Sequence, residues 1–478
     1  MSAETQLRPA GDAGGSPATA PPSPPPMDGL PPAQRRRAVI AIMIAIMMAT
    51  LDIAIANTAL PAIAADLRTS AAASVWVINA YQLAMVAALL PCAALGDIVG
   101  HRRIYIGGVA LFTLASLLCA LAWSLPTLAA ARLLQGLGAA GVMSVNTALL
   151  RFVYPRAQLG RGVGLNATMV AVSFAAGPTI ASLILSVGPW PWLFAVNVPF
   201  GLLAVVVLLR ALPETARSGH RFDLAGALLN AAGFGLLILA IGEAAHQAGP
   251  LTLAAELGAA LLLILLLVRR EASSPAPMLP VDLFRRPLFA LSALTSTCSF
   301  ATQGLAFVSL PFFLQHALGR SQVETGFLMT PWPVAVALMG LIAGPLSDRH
   351  NPGLLGGVGL VLLALGMALL ATLPADPSVF DIGWRMALCG IGFGFFQSPN
   401  MKALMSSAPP ERAGGASGIV AMARLIGQTV GAALVALCFT LSPEHGATVA
   451  LGLGVGFAAV ASVASFLRLL TPNPERSR

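Results

Sequence analysis

Apolar residues in this chain come in runs of about twenty, broken by short polar connections. The first run, 38–60, is apolar apart from a few small polar groups and one carboxylate, Asp52. Thirteen more follow, at approximately 75–95, 104–124, 127–150, 162–186, 192–210, 223–242, 251–268, 288–311, 323–343, 353–373, 384–400, 414–440 and 447–467. At ~1.5 Å per residue, each run crosses most or all of the ~30 Å hydrocarbon core of a bilayer. A transmembrane barrel would instead show short alternating segments. The pattern therefore predicts an all-α polytopic membrane protein of fourteen helices.

The polar connections set the orientation. With the amino terminus in the cytoplasm, twenty-two Lys and Arg fall in the tails and even-numbered connections, against Arg68 and Arg320 outside and Arg385 at a boundary. The positive-inside rule then places both termini in the cytoplasm of a cell-membrane protein. Trp76, Trp123, Trp190, Trp192 and Trp384 fall at outer helix ends, where amphipathic rings settle, whereas Trp332 lies inside its run between two prolines. That ring is either a cavity wall able to meet an organic cation or a side chain packed between helices.

Composition narrows the class without changing it. Of 478 residues 57% are hydrophobic and 10% charged, with mean hydropathy +0.83, which leaves no sizeable soluble domain. The net charge of +8 follows from the cytoplasmic connections and implies no nucleic-acid partner. Five scattered cysteines (92, 119, 298, 389, 438) form no C-x-x-C pair, and all six histidines lie in connections, so no metal site is expected. Residues 136–141 fit G-x-G-x-x-G but lie inside an apolar helix with no preceding strand, so the dinucleotide reading fails. No G-x-x-x-x-G-K-[ST] occurs. The chain is read as no enzyme, with no cofactor beyond an ion gradient.

The pattern repeats itself eight helices apart. Gly96 and Asp97 close helix 2 as Gly344, Asp348 and Arg349 close helix 10; Arg132 with Gly136 and Gly138 is echoed by Arg385 with Gly390 and Gly392; Gly164 and Gly177 share their spacing with Gly418 and Gly431. This organisation predicts a tail 1–37, a six-helix half 38–210, an insertion 211–286 with two helices, a second half 287–470 and a tail 471–478. Duplicated halves around a midplane site are a transporter design.

Few charges lie within the runs. Asp52 and Arg132 both fall roughly 9 Å below the outer face, and intramembrane charges usually find each other. Arg424 lies near mid-run with no evident partner, and Glu256 falls in the insertion.

These motifs resemble those of the major facilitator superfamily and, within it, the fourteen-helix drug:proton antiporters. Leu51, Asp52, Asn57, Ala59, Leu60 and Pro61 match the L-D-x-T-x-x-N-x-A-L-P signature, with Ala54 in place of threonine. Asp97, Gly100, Arg102 and Arg103, and in the second copy Gly344, Asp348 and Arg349, resemble the G-x-L-x-D-R-x-G-R-R loop. Arg132, Gln135, Gly136, Gly138 and Gly141 resemble the helix 4 motif linked to proton coupling. Gly177 and Pro178 resemble the helix 5 antiporter motif, and residues 190–199 resemble a W-R-W…N-x-P segment.

The resemblance implies an exporter that exchanges amphiphilic, cationic organic compounds for protons. It implies Asp52 and Arg132 as the coupling pair, while Asn57, Tyr81, Gln82, Gln135, Gln303 and Trp332, polar or aromatic positions within the runs, are read as cavity residues. Asp97 and Asp348 would latch the cytoplasmic ends, and Gly177 and Pro178 would shape helix 5. The partners implied are protons, a small organic substrate and lipid, for a monomeric chain. Two alternatives stay open: export or import of one endogenous metabolite on the same fold, or an inner-membrane component of an efflux assembly with a periplasmic adaptor.

Overall fold

The computed structural model describes residues 29–155, 158–215, 222–244, 249–272, 281–408 and 413–471. Most of the amino-terminal tail, the carboxy-terminal tail past Thr471, and Arg217, Arg221 and Arg412 lie outside them. Fourteen helices are long and apolar enough to cross a membrane: α1 (Pro32–Asp66), α2 (Ala71–Val99), α3 (His101–Ala120), α4 (Leu125–Val153), α5 (Arg161–Val187), α6 (Trp192–Ala211), α7 (Leu224–Ile241), α8 (Leu251–Ala272), α9 (Pro287–Ala317), α10 (Gln322–Arg349), α11 (Pro352–Ala371), α12 (Val379–Ser406), α13 (Gly418–Leu441) and α14 (Gly446–Leu470). Helix α1 begins at Pro32, so Arg35 to Arg37, expected in the tail, form its first turns. Pro at the first helical position costs no hydrogen bond there.

The two halves repeat in their packing. In the first, α4 packs on α2 and α3, and α1 on α5 and α6; in the second, α12 packs on α10 and α11, and α9 on α13 and α14. Ser70 and Ser321 each cap the helix that follows, and Arg68 and Gly319 just before them take left-handed φ of 49° and 63°. The same offset carries Tyr81 to Trp332 and Asp52 to Gln303. A Cβ on Gly136 would strike the Tyr81 carbonyl, and one on Gly390 the Trp332 carbonyl, so small residues set both close approaches. Four residues before these glycines stand Arg132 and Met386. The partner of Arg132 in the repeat is therefore Met386, not Arg385. Arg385 instead pairs with Asp381 on its own helix, at 3.1 Å.

The halves meet at one end and part at the other. Ile63 of α1, Val75 of α2, Val308 and Phe312 of α9 and Val435 and Phe439 of α13 share one core. At the end carrying α1's start and α14's finish, the apolar cores stay within single halves. The inserted α7 packs on α8 and lies against both α2 and α13. Asn230 of α7 donates to the carbonyls of Val86 and Ala87, at 3.3 and 3.0 Å. Pro91 has no N–H to offer Ala87, so Asn230 satisfies a carbonyl that the proline leaves free.

Candidate functional site

Asp52 is 2% exposed and Arg132 fully buried, and the two form an ion pair. Arg132 and Gln135 are one turn apart on α4, so both reach α1 from one face. Gln135 donates to Asp52 Oδ1 at 2.8 Å, and Asn197 of α6 donates to the same oxygen at 3.1 Å. Arg132 Nε donates to the Val77 carbonyl of α2 at 2.9 Å, and Gln135 also donates to Ser116 of α3 at 2.9 Å. The guanidinium lies over the Tyr81 ring, 4.2 Å from its centre. One carboxylate thus ties together α1, α2, α3, α4 and α6.

Burying two charges costs about as much as their attraction returns, unless their remaining hydrogen-bonding groups are also satisfied. Here both carboxylate oxygens accept, and the guanidinium has a carbonyl, an amide and an aromatic face besides its anion. The pair is thereby held by protein groups on every side that the described residues supply. A proton on Asp52 would cancel the charge that pairs with Arg132, the largest electrical change a single proton could make at this junction.

The junction is physically connected to the closed end. Two residues past Asp52, the Ala54 side chain fills the space where Gly177 of α5 lacks a Cβ. Immediately after Gly177, the Pro178 carbonyl and Ser182 face Gly326 of α10. Ser182 donates to the Gln322 carbonyl at 2.9 Å, and Thr179 and Thr330 share a hydrogen bond of 2.7 Å. Gly177 and Pro178 therefore stand between the charged pair and the contact that joins the halves.

The other expected residues scatter. Tyr81 and Gln135 belong to the junction. Asn57 and Gln82 are buried nearby, with side-chain oxygens that have no hydrogen-bond partner among the described residues. Gln303, the counterpart of Asp52, accepts from Gln428 at 2.9 Å, so the second half repeats the position without the charge. Trp332 is fully buried and meets Phe307 edge to face at 5.3 Å. In this conformation it is core and not cavity wall. Trp332→Ala is accordingly expected to cost about 3–5 kcal/mol of stability, read as a lowered thermal midpoint of purified protein.

Among the described residues, the loop residues do not latch one half to the other. Asp97 pairs with His101 at 3.1 Å, Arg102 with Glu214, and Asp348 with Lys402 at 2.8 Å. Every one of these pairs stays within its own half or the connection leaving it, because the halves are apart at this end. Gly100, at φ 108°, makes the turn from α2 to α3. Arg103 and Arg349 are exposed, and a Cβ on Gly344 would meet open space.

Sequence reasoning quoted Asn197 only within a motif and missed Ser116 and the Val77 carbonyl. The N-x-P spacing at 197–199 was the available signal for Asn197. For Ser116 there was none, since a serine in an apolar helix usually bonds its own backbone, as this one also does to Phe112.

Comparison with known proteins agrees with this architecture. The family model described as Major Facilitator Superfamily matches residues 42–432. The chain is 52% identical over 448 residues to the uncharacterized transporter YebQ of Escherichia coli K12, covering 93% of this chain and 98% of that one. It is 30% identical to the riboflavin transporter RibZ of Clostridioides difficile, covering 84% of this chain and 88% of RibZ. It is 34% identical to the multidrug resistance protein Stp of Mycobacterium tuberculosis, covering 83% of this chain and 74% of Stp.

Proposed function

The chain belongs to the major facilitator superfamily, and from that premise we propose that it is a proton-coupled exporter of amphiphilic organic compounds. The observation that carries the reading is the buried Asp52–Arg132 pair, a single titratable carboxylate tied to five helices of one half. In this reading the halves 38–210 and 287–470 rock against each other, with both termini in the cytoplasm. The parted end then faces the cytoplasm and the closed end faces out.

A proton and Arg132 compete for Asp52. Protonation releases the guanidinium and loosens α1 against α4 and α6. Through Ala54 and Gly177, the change reaches the α5–α10 contact that keeps the outer end shut. Each inward proton supplies roughly 2.3 kcal/mol per 100 mV, enough to drive an uphill substrate step. The partners in this reading are protons, substrate and lipid, with a periplasmic adaptor as an open alternative.

A cationic substrate, which the family resemblance implies, would have to displace Arg132 to reach Asp52. Amphiphilic substrates remain the reading, supported by the likeness to Stp. The likeness to RibZ favours a second reading, export or import of one specific organic metabolite.

The test is transport in everted membrane vesicles loaded with a proton gradient and offered a panel of dyes. Dye accumulation that a protonophore collapses, with proton release on dye addition, is the expected result. Accumulation indifferent to the protonophore would sink proton coupling.

A further inference from the structure

Arg424 of α13 sits on the seam between the halves. Met422 and Leu425 beside it share a core with Met48, Ala49 and Ile53 of α1 and with Tyr81, Met85 and Leu90 of α2. One turn on, Gln428 closes onto Gln303, and Gly427 and Gly431 press α13 onto α9. Arg424 therefore lies within the contact between the halves, above the point where Gly418 of α13 still approaches Leu90 of α2. It is partly buried, and its Nε is enclosed without a hydrogen-bond partner among the described residues. Among those residues no carboxylate pairs with it.

An unpaired guanidinium at this depth is expensive, and such groups mark substrate paths when nothing in the protein neutralises them. Unmet hydrogen-bonding groups gather nearby. Thr50, one turn before Ile53 on α1, has a buried hydroxyl with no partner, and Gln82, next to Tyr81, has a buried carbonyl oxygen with none. The other intramembrane charges of the two halves among the described residues, Asp52 and Arg132, lie nearer the outer end and cancel each other. The net charge facing the seam is therefore positive.

We propose that Arg424 is an anion-binding subsite on the seam between the two halves, and that transported compounds carry an acidic group, such as a carboxylate, on an apolar body. The acid would pair with the guanidinium, whose Nε has no partner among the described residues, and the apolar body would lie along the seam between α13 and the first half. The inference rests on the exporter reading only for the direction of transport. The binding itself requires no gradient.

The test uses two xanthene dyes of similar shape, anionic fluorescein and cationic rhodamine 123, binding to purified full-length protein by fluorescence anisotropy. Wild type should bind fluorescein, and Arg424→Gln should weaken that binding about ten- to a hundredfold, as expected for a lost charged hydrogen bond. Rhodamine 123 should lose no affinity in Arg424→Gln, and Arg424→Lys should keep most of the fluorescein affinity. Equal fluorescein affinity in wild type and Arg424→Gln would overturn the subsite. So would failure of wild type to bind fluorescein, or an equal loss of both dyes, which would mark Arg424 as structural. Intact fluorescein binding without proton-driven transport would count against the exporter reading alone.

Discussion

Asp52→Asn is expected to stop pH-driven export altogether while leaving the protein able to reach the membrane. Asparagine keeps the size and much of the hydrogen bonding of the carboxylate, yet it cannot exchange a proton near neutral pH. The same substitution leaves Arg132 fully buried with no anion. Removing one partner of a buried pair costs about 3–5 kcal/mol, because the other charge stays behind uncompensated. The single variant should therefore show a clearly lowered thermal midpoint as well as dead transport. Adding Arg132→Gln removes the stranded charge, so the double variant should regain most of the stability and none of the coupling. Stability and coupling are thus separable in one cycle. Proton-driven dye transport by Asp52→Asn at the wild-type rate would remove the carboxylate from the mechanism.

The second large effect is expected at the closed end. Thr179 and Thr330 are hydrogen-bonded across the halves at 2.7 Å, close enough for a pair of cysteines in their place to be joined by an oxidant. Thr179→Cys with Thr330→Cys should cross-link rapidly in membranes, and the cross-link should abolish transport because the halves can no longer part there. Reduction should restore it. Efficient cross-linking with full transport would mean that the α5–α10 contact does not open during the cycle.

Much of this was legible in the sequence, and the exceptions have physical causes. The fourteen helices and the duplication followed from run length and motif spacing, signals that every span repeats. Asp52 and Arg132 were paired by their shared depth together with the family resemblance, and depth is informative because charges are so scarce in the hydrocarbon region. Arg385 was misplaced because one residue of slip rotates a helical side chain by about 100°, enough to move it off the face that Met386 occupies. Trp332 was ambiguous because its flanking prolines do not distinguish cavity wall from core; an edge-on contact with Phe307 does. Asp97 and Asp348 show a different limit. A motif can name groups that act together, yet their partners depend on which end of the transporter is shut.

The placement of α7 has a consequence for how a compound dissolved in the lipid could reach the cavity. Duplication gives the molecule two equivalent flanks, where α2 meets α13 and where α5 meets α10. The inserted helix lies along the first, with Phe234 against the core that joins α2 to α13 and Asn230 fastened to α2. The second flank has no such cover among the described residues. An inherited two-fold symmetry is thereby broken on the bilayer side: a compound arriving sideways from the membrane meets a shuttered flank and an open one, and α7, carried by the half that holds Asp52, would keep the shutter in place as α13 slides past it.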